Sequence, residues 1–237
     1  MTAPLRVVRY CASRRWTAGS LKPSAAWLAP GELRELELFR DPQRRQQWLQ
    51  GRRLAKETLA ALAGATSLAQ IEILTRDAQG RGLAPQVQVQ GRPSRWRLTL
   101  SHSTRGVLAA VVDRDRWQVG ADLTDAADRS EHFRQLWFTP AEQAWLNAAP
   151  TVRTAQLWSL KEAIYKACNQ GEPWTPRAIE LQFNPATSPQ CHYHGRPLLG
   201  LQGSVQTIDG QTAAVVYLPG PGDRSPAGQS VAAELCL

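Results

Sequence analysis

From Pro30 to Ala63 hydrophobic residues recur at steps of three to six positions, as Leu33, Leu36 and Phe39 and then Trp48, Leu54, Leu59 and Leu62. That spacing predicts two amphipathic helices with arginine-rich outer faces, broken at Asp41-Pro42. Ile71 to Leu74 reads as a short strand, and residues 77–93, with Gly80, Gly82, Pro85, Gly91 and Pro93, as an irregular or hairpin-like connection. Trp96, Leu98 and Leu100 alternate with Arg97 and Thr99, and the apolar run Val107 to Val112 follows Ser101-His102-Ser103-Thr104-Arg105-Gly106, which predicts strand, turn and buried strand. Trp117, Val119, Ala121 and Leu123 give a further strand. Helices follow over Glu131 to Trp137, from a Thr139-Pro140-Ala141-Glu142 start, and along the stripe Leu157, Leu160, Ile164 and Cys168. Strands return at Ile179 to Phe183, around Leu198 to Leu201, and at Thr212 to Leu218. Helices and a small group of strands in each half predict an α+β protein of two similar lobes. The expected boundaries are 1–113 for the N-terminal lobe and 114–218 for the C-terminal lobe, with 219–237 a disordered tail rich in Gly, Pro and Ser.

Composition narrows the classes. A chain of 237 residues with 43% hydrophobic content can bury a sizeable core. Its longest apolar run, Val107 to Val112, is too short for a bilayer, and Met-Thr-Ala-Pro-Leu-Arg lacks a signal-peptide core, so a cytoplasmic protein with no membrane partner is expected. Cys11, Cys168, Cys191 and Cys236 form no metal or redox pattern. The net charge of +8 favours polyanions, phosphorylated small molecules or an acidic protein partner. Two of the four lysines, Lys161 and Lys166, fall within six residues, the others being Lys22 and Lys56.

Two segments carry candidate chemistry. In Val119-Gly120-Ala121-Asp122-Leu123-Thr124 a carboxylate interrupts an apolar strand just past a glycine that permits close approach; alternatively Asp122 is a strand-end residue facing water. In Trp158-Ser159-Leu160-Lys161-Glu162-Ala163-Ile164-Tyr165-Lys166, residues 158, 162 and 166 line one helical face, where Glu162 and Lys166 are alternatively a surface pair worth about 0.2–0.5 kcal/mol.

Together these segments resemble the paired G-x-D and W-x-x-K-E-A-x-x-K signature of the 4′-phosphopantetheinyl transferases, with Asp122 and Glu162 forty residues apart. The Ser101-His102-Ser103 strand end and Phe138-Thr139-Pro140-Ala141-Glu142 follow the same family's motif order, as in its larger type with both lobes on one chain. The resemblance implies the family's pseudo-twofold pair of lobes, each a small mostly antiparallel sheet with packed helices, and coenzyme A in the cleft between them. It implies a holo-(acyl-carrier-protein) synthase activity, moving 4′-phosphopantetheine from coenzyme A to a serine of an acyl or peptidyl carrier protein with Mg2+. Asp122 and Glu162 are the implied metal ligands. Lys161 and Lys166 are the implied pyrophosphate cations, and Lys166 is also counted with the catalytic groups. Glu142 is the implied base for the serine proton, against the equal alternative that it only caps its helix. Ser101 and His102 match the nucleotide-binding strand end, His102 contacting the 3′-phosphate with help from Arg45, Arg52, Lys56 and Arg81. Thr124 departs from the family, which has an acidic residue there; a water held by Thr124 is the expected replacement. A monomer is expected. The alternatives are a coenzyme A binder without turnover and a basic nucleic-acid-binding protein. Against the latter stand periodic tryptophans such as Trp48, Trp96 and Trp145 and the absence of a recognised nucleic-acid motif.

Overall fold

The break at Asp41-Pro42 separates two helices of the N-terminal part. Proline at the first helical position costs no hydrogen bond, and the Asp41 carboxylate accepts the Gln43 N–H at 2.8 Å. The computed structural model describes residues 6–15, 21–77, 79–127, 129–148, 153–169, 171–183, 190–220 and 234–236. The chain divides into a first unit of residues 1–114 and a second of 115–237.

The first unit runs β1 (Arg6–Ala12), α1 (Pro30–Glu37), α2 (Pro42–Ala63), β2 (Ile71–Arg76), β3 (Gly82–Val89), β4 (Arg92–Pro93), β5 (Trp96–His102) and β6 (Gly106–Asp113). Antiparallel β6 lies between β1 and β5, and β3 between β2 and β4. Leu54 and Leu59 of α2 close this core against Ile71, Ile73, Leu98, Val107, Ala109 and Val111. Alternate β6 residues thus face the helix, as the pleat requires.

The second unit runs β7 (Trp117–Asp125), α3 (Glu131–Trp137), α4 (Pro140–Ala148), α5 (Thr154–Cys168), β8 (Ile179–Gln182), β9 (Gln190–Tyr193), β10 (Arg196–Pro197), β11 (Gln202–Ile208), β12 (Gln211–Pro219) and β13 (Glu234–Cys236). Its order parallels the first: an initial strand, helices, a three-stranded sheet β8-β9-β10, then a hairpin whose second strand pairs with the initial one, in the order β7-β12-β11. The α+β class with small, mostly antiparallel sheets is therefore present in each unit.

Several elements differ from the sequence expectation. Residues 77–93, expected as an irregular or hairpin-like connection, contain the hairpin of β3 and β4, with β3 a full strand of the sheet. Pro85 is tolerated there because the register slips between Leu74 and Arg76, so the ladder does not need its missing N–H. The strand expected around Leu198 to Leu201 is a turn with Gly200 at φ 71°, and the strand begins at Gln202. Neither β1 nor β9 was anticipated. In the expected disordered tail, Glu234–Cys236 pairs in parallel with Gln202, Gly203 and Ser204, which corrects that expectation at those positions; 221–233 and 237 lie outside the described residues.

Gly120 sets how closely β7 meets α5. A Cβ there would sit 1.8 Å from the Ala163 carbonyl oxygen and 2.7 Å from the Ala167 nitrogen, both backbone atoms that cannot rotate away. Gly120→Ala is expected to force the helix off the sheet and cost about 3 kcal/mol or more, read as a lowered thermal midpoint. A midpoint unchanged within a degree or two would show that α5 is not packed this tightly.

Candidate active site

Gly120, Asp122 and Thr124 alternate along β7 and share one strand face. Gly120 lets α5 approach that face, and α5 meets the Asp122 carboxylate with two side chains. Ser159 Oγ donates to Oδ2 at 3.0 Å, and Lys166 Nζ donates to Oδ1 at 2.8 Å and to the Ala121 carbonyl at 3.1 Å. Asp122 is buried, whereas the Lys166 side chain keeps 27% of its surface exposed, so this ammonium remains reachable by a ligand.

Glu162 stands four residues before Lys166 on the same helical face. Its carboxyl is held above the ordinary carboxylate range chiefly by burial; the Lys166 charge opposes this and the Asp122 charge adds to it. Two carboxylates thus sense each other and one ammonium. Among the described residues no group of three or more His, Cys, Asp or Glu side chains gathers. A pair of hard oxygen donors fits a magnesium ion that completes its octahedron with phosphate oxygens and water, and does not make a closed all-protein metal cage.

Glu142 and Lys161 meet each other away from Asp122 and Lys166. Glu142 Oε2 accepts the Thr139 N–H at 2.9 Å and Lys161 Nζ at 2.6 Å, while Oε1 accepts the Leu181 N–H at 3.0 Å. Both side chains have 0% exposure. Burial pushes the Lys161 ammonium below its ordinary value, with Glu142 as the main opposing influence. The same construction stands in the first unit. Glu32 accepts the Ala29 N–H at 2.9 Å and the Ile73 N–H at 3.2 Å, and it pairs with fully buried Lys56. Lys56 also donates to the carbonyls of Trp27 at 2.8 Å and Leu68 at 3.1 Å. In both units a glutamate at the third position of a Pro-started helix ties the cap, the next sheet and a lysine of the following helix together.

The residue after each lysine is a glutamate, but Glu57 of the first unit pairs with Arg53 at 2.7 Å. The buried pair recurs where the Asp122 arrangement does not, so it is a feature of the fold. Glu142, expected either as the base or as a helix cap, is seen here in the capping arrangement, and Lys161 and Lys56, expected at the substrate, are held by internal partners. Arg52 joins them: buried, it donates to Glu35 at 2.9 Å and to Thr75 Oγ1 at 2.9 Å.

The remaining candidates of the first unit stay at the surface. Arg45 is exposed in the first turns of α2, and Gln47 donates to the Ser103 carbonyl at 3.4 Å, which sets those turns beside the end of β5. His102 is exposed at that strand end, where it pairs in register with Val107, and its neighbour Ser101 is buried. Arg81 is exposed and engages Asp77 at 2.6 Å within its own turn.

Two functional candidates escaped the sequence reading. Ser159 stands three residues before Glu162, and its helical spacing could have flagged it. Arg129 donates through Nη2 to Thr124 Oγ1 at 2.8 Å, and nothing in the spacing of the chain signals that contact.

Residues 118–216 match the family model of the 4′-phosphopantetheinyl transferase superfamily. Among solved structures, a holo-(acyl-carrier-protein) synthase from Bacillus anthracis str. Ames, in complex with CoA (3′,5′-ADP), is 21% identical with a TM-score of 0.36. That similarity covers 45% of this chain and 92% of that one. No curated protein matches the sequence. The segment of this chain that resembles the 4′-phosphopantetheinyl transferase superfamily, residues 118–216, is thus the one that holds Asp122, Glu162 and Lys166.

Proposed function

We propose that the chain transfers 4′-phosphopantetheine from coenzyme A to a serine of an acyl or peptidyl carrier protein, with Mg2+ bound by Asp122 and Glu162. The single observation that carries this reading is the meeting of Asp122, Glu162 and Lys166 on facing surfaces of β7 and α5, inside the segment matched by the superfamily. When bound, magnesium would neutralise charge on the pyrophosphate and on the leaving group.

The chain's own residues do the rest. Lys166 is an accessible cation of the site, and it supplies positive charge to the phosphoryl oxygens while keeping Asp122 in place. Ser159 fixes the other Asp122 oxygen, so the carboxylate is oriented before substrate arrives. The serine oxygen attacks the phosphorus of the phosphopantetheine phosphate, its bond to the adenosine bisphosphate breaks, and the serine proton passes to a carboxylate. Glu142 is the proposed acceptor of that proton by its place in the motif, and it would have to loosen one of its three internal contacts to take it. His102 and Arg45, exposed at one end of the first unit, are the proposed contacts of the nucleotide 3′-phosphate.

No helix among the described residues is long and apolar enough to cross a membrane. The electropositive chain suits an acidic carrier protein, whose encounter would be steered by charge. The test is the mass of several apo carrier proteins after incubation with this chain, coenzyme A and magnesium, with EDTA as control. A phosphopantetheine-sized gain on the carrier serine, lost in EDTA, is expected. Coenzyme A binding with no gain on any carrier would overturn transfer and leave a binder.

A further inference from the structure

Thr124 shares its strand face with Asp122 and lies two residues, about 7 Å, further along β7. Its hydroxyl accepts Arg129 Nη2 at 2.8 Å. The same guanidinium lies 5.7 Å from the centre of the Phe133 ring, and Phe133 meets the Trp158 ring edge-on at 4.8 Å. Trp158 begins the face of α5 that carries Glu162 and Lys166 at four-residue steps. The half-buried guanidinium is therefore held from two sides, on the strand face of Asp122 and over the aromatic contact that leads to Glu162. An arginine engaged only in solvent would have neither anchor.

We propose that Arg129 is a phosphate-binding residue of this site, positioned by Thr124. With a hydroxyl and a guanidinium at this corner, the chain gives up affinity for metal and gains a direct contact to the pyrophosphate. The inference rests on the coenzyme A reading above and assigns to it a residue outside the shared signature. A carboxylate at position 124 would draw a cation. A hydroxyl that binds an arginine reverses the sign of the corner, and the guanidinium keeps its positive charge beside the carboxylate pair. Binding of coenzyme A then keeps a component that survives removal of metal.

Calorimetric titration of coenzyme A into the full chain, in EDTA and in magnesium, tests this. The wild type is expected to bind in both conditions. Arg129→Ala is expected to weaken binding in EDTA by about tenfold or more, the scale of losing one charge-assisted contact. Arg129→Lys, which keeps the charge but not the fork, should fall between them. Thr124→Val should weaken binding in the same direction by releasing a guanidinium that is still present. Thr124→Glu should lose affinity in EDTA and recover it with magnesium. Circular dichroism of each variant should match the wild type. An Arg129→Ala chain with unchanged affinity in EDTA overturns the role of Arg129 and leaves the coenzyme A reading standing. No binding by the wild type in either condition overturns that reading and this inference with it.

Discussion

Asp122→Asn and Glu162→Gln are each expected to lower carrier modification by about a thousandfold or more, the scale seen when a preorganised charge-stabilising group is removed. Both substitutions keep the shape of the side chain, so loss of activity would come from loss of charge. They should separate in stability. Asp122 is already satisfied by Ser159 and Lys166, and its neutral analogue leaves the Lys166 ammonium without its carboxylate. Glu162 ionises against burial and against Asp122. Its carboxyl titrates higher in the folded chain than in the unfolded one, so its full contribution to stability is present below the ordinary carboxylate value. That contribution is lost as pH rises through the folded value. Glu162→Gln is therefore expected to raise the thermal midpoint at neutral pH and to leave it unchanged in acid while abolishing turnover. An inactive variant that is also less stable at neutral pH would argue that Glu162 holds the fold. A fully active one would remove it from the site.

Lys161→Met is expected to destabilise the chain by about 3–5 kcal/mol, because it strands the buried Glu142 charge among apolar neighbours. Adding Glu142→Gln should recover part of that loss, since no unpaired charge remains, although the amide has a single oxygen and can accept from only one of the Thr139 and Leu181 N–H groups. Lys56→Met should show a loss of the same size, in a unit that has no counterpart of Asp122 and Lys166. Urea denaturation measures all three. The kinetic readout separates the readings: a structural pair predicts near-normal turnover from whatever fraction of the double variant remains folded. A catalytic Glu142 or a substrate-binding Lys161 predicts lost turnover at preserved stability.

The recurrence of the Glu–Lys pair also bears on how the chain was built. Helix, cap, lysine and following sheet stand in the same relation in both units, yet only the second places a carboxylate on its initial strand within reach of the helix. Glu57 occupies the helical position that Glu162 occupies, and it is spent on Arg53. A repeated scaffold thus carries one acid site, and the motif lysine next to Glu162 makes the same buried pair as Lys56 in the first unit.

The sequence by itself determined the helices of both units, the buried strands of residues 107–112 and 212–218, and the approach of Asp122 to a glutamate-bearing helix. Each follows from local periodicity, from a capping residue, or from a pair of motifs that resemble a family. It did not determine which charges stay at the surface. Lys161 and Lys166 share a segment, yet one is sealed against Glu142 and the other remains 27% exposed, and only the packing of neighbouring elements decides between them. Strand β1 has no strong alternation, and β13 is three residues long; each exists because a central strand offers it an unpaired edge. The contact of Arg129 with Thr124 likewise depends on how the chain turns after β7. Spacing along the chain shows which residues share a face, but the fate of a charge depends on what another element presses against it, and that is decided only when the tertiary structure closes.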